Sequence, residues 1–116
     1  MSAAPAVNRR RGEVSARLDG RDYTLCLTLG ALAELEAAFE TDDLAALVAR
    51  FGSGRLSARD MLRIVGAGLR GGGHPFPDDE VREMQAEGGA AGYARIVVDL
   101  LEATFGGPID DRTGDG

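Results

Sequence analysis

The chain has no tryptophan, no lysine, one cysteine and one histidine, and aromatic residues make up 5% of its 116 positions. Each scarcity excludes something. A single cysteine rules out an internal disulfide and a cysteine zinc site, and it fits a reducing compartment. With so few aromatics the core must be built from Leu, Ala and Val, which favours small helices packed closely. No apolar run approaches the ~20 residues that a bilayer crossing needs, so no membrane partner is expected. Every basic residue is Arg, a composition typical of GC-rich coding and one that also suits bidentate pairing with carboxylates.

What is present points to one globular domain. Hydrophobic residues make up 44% of the chain, and a chain of this size buries roughly 65% of its unfolded surface. The formal charge of −6 is uneven: residues 1–21 hold five Arg against two acids, and residues 22–116 eight Arg against seventeen. The acidic body argues against nucleic acid as a partner. At the N-terminus the small apolar residues precede Arg9, Arg10 and Arg11, the reverse of a signal peptide. The chain is therefore expected to work in the cytoplasm.

Residues 1–12 lack periodicity and read as a flexible basic arm, and residues 108–116 as a disordered acidic tail. Between them, residues 13–107 read as a single α+β domain. Val14, Ala16 and Leu18 alternate onto one side, Asp19-Gly20 is a hairpin turn signal, and Tyr23, Leu25 and Leu27 alternate again. Thr28 is placed to cap a helix carrying Leu29, Leu32, Leu35 (or Glu36) and Phe39 at helical spacing. That helix is expected to fold back over the hairpin, since two strands alone are marginal in water.

Thr41-Asp42-Asp43 caps a second helix with Leu44, Leu47, Val48 and Phe51. Ser57 and Asp60 form a capping-box spacing before a third, carrying Met61, Leu62, Ile64, Val65 and Leu69. Gly66 and Gly68 are costly inside that helix, which makes sense if another helix passes close by. A loop over 71–77 precedes a short helix from Asp78 through Met84, and a last helix runs over 90–105. The fold class is α+β, an N-terminal β-hairpin followed by four to five α-helices, mainly helical.

No catalytic, cofactor-binding or metal-binding constellation stands out. His74 sits alone in a Gly-Pro loop. The run Arg70-Gly71-Gly72-Gly73-His74-Pro75 follows a helix instead of a strand and lacks a Gly-Lys-Ser/Thr ending, so it is no phosphate loop. Cys26 reads as a small half-buried strand residue with no histidine near it. Asp42, Asp43, Asp78, Asp79 and Glu80 are accounted for as helix-start residues. What remains is apolar surface. Leu29, Leu32, Leu35, Phe39, Ile96, Leu100 and Phe105 make a large apolar stock for one hairpin to cover; each taken singly reads first as plain core, and a leftover groove among them would hold a partner helix. The hairpin with the first helix is expected to be the scaffold, and the loop over 71–77 and the last helix to be more mobile or partner-facing.

The residues Arg9-Arg10-Arg11-Gly12-Glu13-Val14, then Leu18-Asp19-Gly20, then Leu25-Cys26-Leu27-Thr28-Leu29-Gly30-Ala31-Leu32-Ala33-Glu34-Leu35-Glu36 resemble a family of small proteins from gene transfer agents, the phage-like particles of alphaproteobacteria. Ser57-Ala58-Arg59-Asp60, the stretch from Ala67 to His74 and Asp79-Glu80-Val81 look like its next blocks. The likeness spans about residues 9–105. That family is grouped with phage tail assembly chaperones and has also been labelled tail-tube related.

The resemblance implies a non-enzymatic protein that binds the tape measure protein, assists assembly of the tail tube protein in the bacterial cytoplasm, and is absent from the mature particle. It implies no cofactor and leaves homo-oligomerisation open. Two rivals are a minor structural tail component retained in the particle, and a small enzyme or ligand-binding module. Against the last stands the lack of a His/Cys/Ser arrangement.

Overall fold

The computed structural model describes residues 11–106. The basic arm and the acidic tail read from the sequence lie almost wholly outside them. Strands β1 (Glu13–Leu18) and β2 (Arg21–Cys26) form an antiparallel hairpin, and five helices follow: α1 (Leu29–Phe39), α2 (Leu44–Gly52), α3 (Ala58–Gly71), the one-turn α4 (Asp78–Val81) and α5 (Gly89–Phe105). This is the mainly helical α+β fold expected from the sequence.

The hairpin register pairs Leu18 with Arg21 and Glu13 with Cys26. Its turn places Asp19 at φ 53° and Gly20 at φ 75°. A two-residue turn of type I′ needs positive φ at both positions, and Asp-Gly supplies them at low cost. Asp19 also anchors a distant segment. Its backbone N–H donates to the Gln85 carbonyl at 2.8 Å, and its carboxylate accepts from the Gln85 N–H at 2.9 Å. Leu18 then bridges Ala86. The short helix ends at Val81 instead of Met84 for this reason: the chain after it leaves the helical path to pair with the end of β1. The Tyr93 hydroxyl donates to the Met84 carbonyl and fixes that departure.

The alternation of the hairpin is real, with Val14, Ala16, Leu18, Leu25 and Leu27 all buried. Its cover differs from expectation. α3 lies on β2 and α5 on β1, whereas α1 packs chiefly on α3. The reason is steric. A Cβ on Gly71 would stand 2.0 Å from the Cys26 carbonyl oxygen, and one on Gly72 2.0 Å from that of Thr24. A Cβ on Gly68 would meet the Leu100 methyl at 2.6 Å and the Leu25 Cβ at 3.3 Å. Only a helix with a bare face can lie this close to β2, and α3 alone carries one. α1 has no such face. It leaves the strand end across Leu27 and Thr28 and turns Ala31, Leu32 and Leu35 inward. Leu29, read as the first residue of its stripe, is 78% exposed.

The helix starts are as the sequence dictates. The Thr28 hydroxyl accepts from the Ala31 N–H at 3.1 Å, and the Asp43 carboxylate from the Ala46 N–H at 2.8 Å. Ser57 and Asp60 form a reciprocal capping box, each side chain accepting from the other's backbone N–H at 3.1 Å. α2 buries Leu47 and Phe51 but leaves Leu44 and Val48 about 40% exposed, so its apolar stripe is narrower than its sequence implies. The box at the start of α3 yields a prediction. Ser57→Ala lowers stability by about 1 kcal/mol, read as a lower midpoint in urea with an unchanged slope.

Candidate functional site

The residues read as a partner groove are not gathered into one. Leu32, Leu35 and Leu100 are core residues. Phe39, Ile96 and Phe105 are half-buried and packed against that core, and Leu29 stands alone in solvent. The cause is α3. It lies between α1 and α5 and contacts both, so their apolar faces are spent on it. The loop over 71–77 is likewise tied back. The Arg70 guanidinium donates to the Phe76 carbonyl at 2.7 Å, and Tyr23 meets the rings of His74 and Phe76 edge-on at 5.0 and 5.7 Å.

Arg70 forms a clamp with no counterpart in the sequence reading. It pairs with Glu34 of α1 at 2.8 Å and with Asp78 of α4 at 3.1 Å. The hydrogen bond to Glu34 is the main cause that raises its pKa above the ordinary arginine value, although partial burial opposes it. Gly66 leaves the space, since a Cβ there would stand 2.4 Å from Asp78 Oδ1. The same packing disposes of a phosphate loop at 70–75. Gly71 and Gly72 lie against carbonyl oxygens, a setting that repels an anion.

Two open surfaces flank the first turns of α3. A cleft of about 680 Å³ lies between the end of α1, the end of α2 and the start of α3, and its walls hold Phe39, Glu40, Arg50, Arg55, Arg59, Asp60 and Arg63. Arg50 covers the Phe39 ring at 4.8 Å and reaches the buried Asp60 at 3.4 Å. Beside it lies an apolar groove of about 290 Å³, with Met61 and Leu62 of α3 on one wall and Val81 and Tyr93 on the other. Ala58 and Arg59 belong to both. The sequence signal was available. Residues 44–77 hold five Arg against one acid, Asp60. Counted together with the acids on either side, that basic stretch disappears into the net negative charge.

A family model described as phage tail tube protein, GTA-gp10, matches residues 11–107. The chain belongs to this phage tail tube protein family. The match supports the gene-transfer-agent and phage-tail likeness seen in the sequence; it does not carry a chaperone role. No curated protein and no solved structure matches the chain.

Membership in a tail tube family points to a structural, non-enzymatic protein. His74 is packed between aromatic rings. The Cys26 thiol donates to the Arg11 carbonyl at 3.5 Å. Burial, reinforced by the nearby Glu13, raises its pKa above the ordinary thiol value. A raised pKa leaves less thiolate at neutral pH, and the thiolate is the reactive form. In this tail protein, therefore, Cys26 reacts with a disulfide reagent more slowly than free cysteine at pH 8. The deficit narrows as pH rises through the thiol's pKa. A rate at or above that of free cysteine would contradict the account.

Proposed function

We propose that this protein builds the tail of a gene-transfer-agent-like particle by binding other tail proteins, without catalysis, and that it acts as an assembly chaperone for the tape measure protein. The observation that carries the finer reading is the size of the sheet. A tube wall closes through an extended sheet shared around a ring. The described residues hold one two-stranded hairpin. Its ends are occupied within the chain, with Leu18 bridged to Ala86 and the Thr24 and Cys26 carbonyls under the end of α3. By contrast, the grooved surface on α3 suits transient coverage of a helical client, with apolar burial stabilising the complex by about 25 cal/mol per Å².

A second reading is that the protein stays in the particle as a minor structural component of the tail. The family description, a tail tube protein, fits this reading better than the first. Co-expression with the tape measure protein of the same gene cluster separates the two, alongside a blot of purified particles. A soluble co-purifying complex with no copy in the particles is the outcome expected of a chaperone. An insoluble client, with this protein present in particles at fixed stoichiometry, establishes the structural reading in its place.

A further inference from the structure

The cleft between the ends of α1 and α2 and the start of α3 is basic. Arg50, Arg55, Arg59 and Arg63 line it, against two acids, Glu40 and Asp60. One of those acids is already engaged. The Asp60 carboxylate accepts from the Ser57 N–H at 3.1 Å and from Arg50 at 3.4 Å. Arg55, Arg59 and Arg63 make no ion pair among the described residues. Arg59 and Arg63 stand four positions apart on α3, so they share one face of that helix. The apolar groove beside the cleft shares Ala58 and Arg59 with it. Its charged lining residues, Arg59 and Arg82, are both basic, and Met61, Leu62, Val81 and Tyr93 supply its apolar walls.

We infer that this joined surface docks an acidic amphipathic segment of a partner protein, with the segment's carboxylates in the arginine cleft and its apolar side chains in the groove. The charge of the lining selects the occupant. Arginine pairs with carboxylates through two parallel hydrogen bonds, and here three arginines without an ion pair meet one acid, Glu40, in the same state. Exposed ion pairs contribute little one at a time, so a lone anion gains little in an open cleft. A segment with several carboxylates gains at each arginine and adds apolar burial next door. Nucleic acid fits less well. The chain carries a formal charge of −6, and the one aromatic ring in the cleft, Phe39, is covered by Arg50 at 4.8 Å, which denies a base its stacking surface. The inference rests on the proposal that this protein works by binding other proteins, but not on which of them it binds.

A synthetic helical peptide with Glu on one face and Leu on the other is the probe, labelled with a fluorophore and titrated with the full chain. Saturable binding with a micromolar Kd is expected. It should weaken several-fold as salt goes from about 0.1 M to about 1 M and the Debye length shrinks from about 10 to about 3 Å. Peptides with Gln in place of Glu, or Ser in place of Leu, should each bind about tenfold more weakly or worse. Arg55→Glu/Arg59→Glu should cost about tenfold or more with helicity and melting temperature retained. Arg21→Glu/Arg95→Glu, an equal change of charge at exposed positions outside both surfaces, should leave affinity within about twofold. If the first variant fails to fold, Arg55→Gln/Arg59→Gln carries the test.

No saturable binding of the Glu peptide would overturn the inference. So would equal binding of the Gln peptide, equal losses in the two reversal variants, or tighter binding of a single-stranded oligonucleotide than of the peptide. The outcome is separable from the chaperone reading. Peptide binding lost on Arg55→Glu/Arg59→Glu supports the inference even where the tape measure protein stays insoluble. A protein that solubilises the tape measure protein but does not bind the Glu peptide keeps the chaperone reading and loses this one.

Discussion

The contact between the end of α3 and strand β2 is the constraint from which the rest of the structure follows. Backbone lies on backbone there. Gly71 and Gly72 sit where any side chain would meet the Cys26 and Thr24 carbonyls, and Gly68 makes room for Leu25 and Leu100 one turn earlier. Interiors are packed to crystal density, so an approach this close fixes the position of the whole helix. α3 becomes the central element. It buries Ile64, Val65, Ala67 and Leu69 completely, and α1 and α5 are placed by packing on either side of it.

This division gives α3 two roles along its length. Its second half is core, and Arg70 near its end ties α1 and the start of α4 to it. Its first turns project beyond the hairpin, where they carry Arg59, Met61, Leu62 and Arg63 into open clefts. In this member of a phage tail tube family, the open clefts are thus positioned by the element that organises the fold. The glycines that cost helix propensity in the second half are what position the contacts of the first.

Local signals in the sequence read through to the structure because their causes are local. Thr28, the Ser57–Asp60 box and the Asp19-Gly20 turn each act within a few residues, and strand alternation reports a face whichever helix covers it. Identifying the covering helix was harder. Apolar stripes on α1 and α5 look alike whether they meet the hairpin or α3. The deciding feature was the missing side chains of α3, read at Gly66 and Gly68 as a close approach but not extended to Gly71 and Gly72. The Arg70–Glu34 pair spans 36 positions and has no sequence signature. The arginine-rich start of α3 was visible as composition, yet only the fold shows that its members share a cleft.

The most direct measurement compares Gly71→Ala with Gly52→Ala by chemical denaturation. Both glycines close a helix with negative φ, but a Cβ at Gly52 meets nothing within 4 Å, whereas one at Gly71 meets the Cys26 carbonyl at 2.0 Å. The account predicts that Gly52→Ala is neutral or stabilising by up to about 1 kcal/mol. It predicts that Gly71→Ala destabilises by about 2 kcal/mol or more, because backbone must move to admit the methyl group. Equal effects at the two positions, or a Gly71→Ala protein as stable as the wild type, would contradict the close contact between α3 and β2 and the arrangement built on it.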